Sequence, residues 1–234
     1  MQIKHVYQPI RNLVTGKIIG HEALLRGSAG EEAMEVFAVA ESQGRLFEID
    51  QMSFAAAIAG APPELVFANI FPATLIKMAA DRRSMIGYSG ARRPQEVVIE
   101  LVEVFEIKDI SCLRDSVEAV RAAGLMVAVD DVSDGWGRLH LIAELVPEWI
   151  KIDRKLVMEC DRYPNRLAVI RCLVELARDL GARVVAEGIE RPEELTALDA
   201  QGVNYGQGFL WGRPEEYRKE MARRMAMEGG MAIG

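Results

Sequence analysis

Apolar positions alternate between two rhythms along the chain. Short runs rich in Val, Ile and Leu, at 5–13, 18–25, 65–70, 96–101, 126–132, 149–152, 183–186 and 205–210, are bounded by turn-forming residues and read as buried strands. Longer stretches of helical period separate them at 31–43, 47–59, 72–80, 107–123, 139–145, 165–180 and 192–200, with a charged helical tail expected over 214–228. Strands joined by amphipathic helices predict a parallel sheet with helical crossovers. Eight such strands in 234 residues, slightly short of the ~250 typical of a (β/α)8 barrel, favour a closed barrel over an open sheet. Only Val14-Thr15-Gly16-Lys17 separates the first two strands, too little for a crossover helix. They should form a hairpin. The expected fold is α/β, a modified TIM (β/α)8 barrel with one antiparallel strand, in a single domain over 1–234 whose barrel occupies roughly 3–214.

Strands buried on both faces should be nearly continuous Val, Ile and Leu, yet six of these carry or end in a polar group. Glu22, Asn69, Glu100, the pair Asp130-Asp131, Lys151 and Glu187 all fall within or at the C-terminal ends of strand runs. One carboxylate at a strand end is usually a helix cap or a surface ion pair. Five carboxylates, an amide and an ammonium around one rim are not explained that way, because burying so many like charges costs several kcal/mol per ion. Divalent cations resolve the conflict. Oxygen-only ligands suit Mg²⁺ or Mn²⁺, and two such ions bridged by an aspartate form a clamp for in-line attack on a phosphodiester. Lys151 could orient the attacking water or neutralise transition-state charge. The C-terminal rim is also where barrel enzymes place their chemistry.

Composition narrows the field. A net charge of −7 argues against general nucleic-acid binding, though not against a small phosphorylated ligand held through metals. Cys112, Cys160 and Cys172 are an odd, widely spaced set without zinc or disulfide spacing, which points to reduced thiols and a cytoplasmic protein. No run approaches the ~20 apolar residues that span a bilayer. His21-Glu22 lacks the second histidine of a zinc protease, and neither a phosphate-binding loop nor a dinucleotide glycine fingerprint occurs. His5, His21 and His140 offer little for histidine-based catalysis.

The motifs resemble, in order, those of the EAL-domain cyclic di-GMP phosphodiesterases. They are Tyr7-Gln8-Pro9-Ile10, Glu22-Ala23-Leu24-Leu25-Arg26, Ala68-Asn69-Ile70, Glu100-Leu101-Val102-Glu103, Asp130-Asp131, Lys151-Ile152-Asp153-Arg154, Ala186-Glu187-Gly188-Ile189-Glu190, and Gln207-Gly208-Phe209 with Arg213-Pro214. The resemblance implies metal ligation by Glu22, Asn69, Glu100, Asp130 and Asp131, with Glu187 holding a metal or its water and Lys151 acting on that water. It implies ligand contacts from Gln8, Leu25, Arg26, Gln207 and Pro214, an anchoring role for Glu103, and support from Asp153 and Glu190. The implied cofactors are two Mg²⁺ or Mn²⁺ ions, with Ca²⁺ a candidate inhibitor. The implied reaction opens one phosphodiester bond of cyclic di-GMP to give linear pGpG, in a homodimer.

The chain departs from the family in Gly27, Phe71, Val102 and most visibly in Val132-Ser133-Asp134-Gly135-Trp136-Gly137-Arg138, which follows the aspartate pair. An altered loop there leaves open a non-catalytic cyclic di-GMP receptor. A metal-dependent barrel enzyme acting on another substrate, for example by enolising a carboxylate, is the third alternative.

Overall fold

In a computed structural model, which describes residues 2–80, 96–102, 109–133 and 136–215, eight strands close into a barrel in sequence order. They are β1 (Ile3–Asn12), β2 (Ile18–Gly27), β3 (Leu65–Ile70), β4 (Val97–Leu101), β5 (Met126–Val129), β6 (Trp149–Ile152), β7 (Arg183–Ala186) and β8 (Tyr205–Gly206). The helices of the described residues are α1 (Ala33–Ser42), α2 (Leu46–Gly60), α3 (Pro72–Ala79), α4 (Ile110–Ala122), α5 (Trp136–Leu145), α6 (Arg154–Val157), α7 (Pro164–Leu180) and α8 (Pro192–Ala200). β1 runs antiparallel to both β2 and β8, and every other neighbouring pair is parallel. The hairpin forced by the short first connection is thus the one reversal in the barrel. No helix among the described residues is long and apolar enough to cross a membrane.

Alternation along each strand builds two apolar layers. Outward residues such as Val66, Ile99, Val127, Ile150 and Val184 pack against the helices in one large core. Inward residues Ile10, Phe67, Val98, Ala128, Trp149 and Val185 plug the barrel. Phe67 meets the Trp149 ring edge-on at 5.1 Å between centroids, and Tyr205 tilts against it at 5.2 Å. Packed aromatic contacts of this kind fill the interior, so the barrel is a core and not a pore.

Two strands end sooner than their apolar runs predict. β5 stops at Val129 because Asp131 adopts a left-handed backbone, φ 55°, which turns the chain out of the ladder. β8 spans only Tyr205–Gly206 because the chain then passes against residues 188 and 189. Ile189 N donates to Gln207 O at 3.0 Å, and a Cβ on Gly208 would lie 2.0 Å from Ile189 O. A 3₁₀ turn, Phe209–Trp211, replaces the expected strand end. The expected helix at 139–145 begins earlier, at Trp136. The tail beyond 215, the start of the 107–123 helix and Glu103 lie outside the described residues.

Candidate active site

The polar rim stands one strand period above the apolar plug. Phe67, Val98, Ala128, Trp149, Val185 and Tyr205 face inward, and two residues further along the chain come Asn69, Glu100, Asp130, Lys151, Glu187 and Gln207. β1 runs the other way, so Gln8 lies two residues before its plug residue Ile10 and pairs in register with Glu22 on β2. Asn69 likewise pairs in register with Glu100.

Lys151 is the centre of this group. Its fully buried Nζ lies 2.7 Å from Glu187 Oε1, 2.8 Å from Glu100 Oε1, 3.1 Å from Asp130 Oδ1 and 3.2 Å from Glu22 Oε2. Gln207 Nε2 donates to Glu187 Oε1 at 3.0 Å and to Glu22 Oε2. Burial opposes the Lys151 charge, but the surrounding carboxylates outweigh it and hold the ammonium well above the usual lysine range. Burial also pushes Glu100 and Glu187 well above the usual carboxylate range, reinforced by neighbouring acids and opposed by Lys151. Asp131 rises to about 6, first through burial and then through Asp130 and Asp153.

One ammonium does not balance this cluster. An ion pair kept for stability would match charge with charge, because each buried ion carries a desolvation cost of several kcal/mol. Here Glu100 Oε2 is buried with no hydrogen-bond partner among the described residues. Asp130, Asp131 and Glu187 can each offer an oxygen within 4.8 Å of the other two. Hard-cation chemistry therefore fits the donor set.

The remaining expected site residues are spread around this centre. Arg26 lines a cavity of about 240 Å³ together with Glu22, Leu25 and Asn69. Leu25 is buried outside the barrel wall against Val36, Ala40 and Ile49. Pro214 is half-buried, and the next residue, Glu215, bridges antiparallel to Tyr7. Asp153 does what a lone strand-end aspartate usually does: its Oδ1 accepts from Lys155 N at 2.7 Å and caps α6. Glu190 pairs with Arg154 at 2.8 Å on the surface, away from the cluster.

The altered segment after the aspartate pair is tied to the rim at both described ends. Val132 N donates to Lys151 O at 3.0 Å, Ser133 Oγ donates to Asp153 Oδ2 at 2.6 Å, and buried Arg138 donates through Nη1 to Leu101 O at 3.4 Å. Arg138 was not among the expected site residues, and neither was the His5–Ser53 pair, Nε2 to Oγ 3.1 Å, that lines the same cavity as Arg26. Both arise from contacts between elements distant in sequence, so no local motif announces them.

A family model described as the EAL domain matches residues 1–214. The chain belongs to the EAL-domain family. Among solved structures, the EAL fold here resembles a manganese and cyclic di-GMP complex of BlrP1 from Klebsiella pneumoniae, with a TM-score of 0.84 and 30% identity over 92% of this chain and 56% of that one. Among curated relatives, it is 31% identical to the cyclic di-GMP phosphodiesterase RocR of Pseudomonas aeruginosa over 156 residues, 66% of this chain and 40% of that protein. It is 25% identical to the blue light- and temperature-regulated antirepressor BluF of Escherichia coli, over 88% of this chain and 53% of that protein. The chain spans roughly a quarter to a half of the first curated relatives it matches. The EAL family thus includes both phosphodiesterases and a relative named for regulation.

Proposed function

We propose that this chain is a metal-dependent phosphodiesterase that hydrolyses one phosphodiester bond of cyclic di-GMP to linear pGpG. The observation that carries the proposal is the charge imbalance around Lys151. Glu22, Glu100, Asp130, Asp131 and Glu187 carry five negative charges when ionised, and one ammonium with two divalent ions supplies five positive ones.

Glu22, Asn69, Glu100, Asp130, Asp131 and Glu187 would hold Mg²⁺ or Mn²⁺. Bound there, the ions would neutralise charge on the phosphodiester and make water a better nucleophile at neutral pH. Lys151, seated among these carboxylates, would donate hydrogen bonds to the attacking oxygen or to the charge that builds on the phosphoryl group. Glu187, 2.7 Å from Lys151, would hold a metal or take the proton from the attacking water. Gln207 fixes the carboxylates of Glu22 and Glu187 relative to one another. Water adds to phosphorus, the bond from phosphorus to O3′ breaks, O3′ leaves as a hydroxyl by taking up a proton, and the product keeps a 5′ phosphate. The wall bearing Leu25 and Arg26 receives the ligand, with Arg26 pairing to phosphate. A homodimer is part of the same reading.

A receptor with little turnover is the second reading, favoured by the polar and charged residues Ser133, Asp134 and Arg138 in the segment after the aspartate pair. Glu22→Ala tests the enzyme reading. It should abolish pGpG formation and leave the folded chain intact, because removing one carboxylate from a crowded acidic rim relieves repulsion. Full turnover by this variant would refute the assignment.

A further inference from the structure

The loop joining β2 to α1 is closed on itself. Gly27 N donates to Glu31 O at 2.8 Å, Gly30 N to Gly27 O at 3.1 Å, and Ala29 N to Glu31 Oε2 at 2.8 Å. A Cβ on Gly27 would lie 2.2 Å from Glu31 Oε2, so the glycine leaves room for that carboxylate to fold over the strand end. This closure brings Glu32 opposite Arg26. The two residues form an antiparallel bridge, and Arg26 Nη1 lies 3.0 Å from Glu32 Oε2. Glu35 Oε2 accepts from Glu32 N at 3.0 Å and fixes Glu32 as the residue that precedes α1.

Arg26 and Glu32 line the cavity that begins at Glu22 and Asn69. Among its described lining residues Arg26 is the single Lys or Arg, and His5 beside it is kept neutral, burial drawing it down to about 4. Among the side chains described around this cavity, the positive charge therefore comes from one guanidinium. Its Nη1 already donates to Leu25 O at 2.8 Å and pairs with Glu32. The pair is unequally placed: the Arg26 side chain is 19% exposed and that of Glu32 67% exposed. Glu32 can thus swing into water at little cost, whereas Arg26 stays in the cavity wall.

We propose that Glu32 is an affinity-setting residue, a carboxylate latch that competes with the ligand's phosphodiester for Arg26 and must swing away before the ligand seats. The proposal rests on reading this rim as a cyclic di-GMP site. Relief of the competition and of the repulsion between Glu32 and phosphate should tighten binding about three- to tenfold, and more at low salt than at high salt.

The test is calorimetric titration of cyclic di-GMP into the full chain with Ca²⁺, comparing wild type with Glu32→Gln, Arg26→Ala, the double variant and Glu41→Gln. Glu41 is an exposed acid on α1, outside the cavity lining, and controls for net charge. The latch predicts tighter binding by Glu32→Gln, wild-type binding by Glu41→Gln, and a double variant within about twofold of Arg26→Ala. In turnover with Mn²⁺ the gain should be read as a lower KM and not as a higher kcat. Unchanged or weaker binding by Glu32→Gln, where the wild type binds, would overturn the latch alone. Equal tightening in the Arg26→Ala background would overturn it too, by showing general charge relief. Failure of the wild type itself to bind would overturn the cyclic di-GMP reading and the latch with it.

Discussion

Lys151 Nζ lies 2.8 Å from Glu100 Oε1, and neither side chain has any exposure to solvent. Lys151 is the one cation that the described structure places among Glu22, Glu100, Asp130 and Glu187. Replacing it by methionine keeps the volume but leaves those carboxylates facing one another. In EDTA at pH 8, Lys151→Met should lose about 3–5 kcal/mol of stability to urea, the usual cost of breaking a buried ion pair. The loss should shrink as pH falls, because carboxylates raised by burial take up protons. Equal stability of variant and wild type at pH 8 would show that Lys151 does not balance the cluster.

Gln207 joins Glu22 and Glu187, which lie 185 and 20 residues earlier in the chain. Gln207→Leu removes both donated hydrogen bonds at similar size. The apparent affinity for Mn²⁺ should fall about 10–100-fold, the usual effect of losing a group that orients metal ligands. A Mn²⁺ titration of activity reads this directly, and an unchanged midpoint would mean that the carboxylates hold their places unaided.

Much of this was legible in the sequence because it depends on local pattern. Eight short apolar runs, the four-residue first connection and polar residues at strand ends follow from period-two alternation and chain reach. The closed barrel with β1 reversed agrees with them. The ends of β5 and β8 were not legible, since Asp131 and Gly208 take their conformations from neighbours outside their own strands. The strand-end pattern grouped Lys151 with these carboxylates but did not show it in contact with four of them, nor Arg138 reaching Leu101 or Glu32 facing Arg26. Each joins separate elements, so only the closed fold specifies it. Asp153 carries the strand-end signature too, and it both caps a helix and accepts from Ser133 beside the aspartate pair.

Asp50 is another residue the sequence did not single out. It is 1% exposed, its Oδ2 accepts from Phe71 N at 3.0 Å, and burial raises its pKa to about 7 against the ordinary 3.8. The folded state therefore keeps this proton at pH values where the unfolded chain has released it. Its contribution to stability is present at low pH and is lost as pH rises from about 4 through about 7, by up to about 1.4 kcal/mol per unit. Asp50→Asn should remove that slope. Urea denaturation of both proteins in EDTA across this range should show the wild type losing stability relative to the variant; parallel curves would contradict the assignment.

Hydrolysis of cyclic di-GMP is proposed at a rim that carries five carboxylates and one ammonium. The most direct measurement is chromatographic identification of the product formed by the purified chain as Mg²⁺ or Mn²⁺ is titrated in from an EDTA-treated start. No product should form without metal, and 5′-phosphorylated linear pGpG should form with it, at a rate that rises with metal and saturates. Cyclic di-GMP that binds the chain yet stays intact at every metal concentration would contradict hydrolysis and leave a receptor in place of an enzyme.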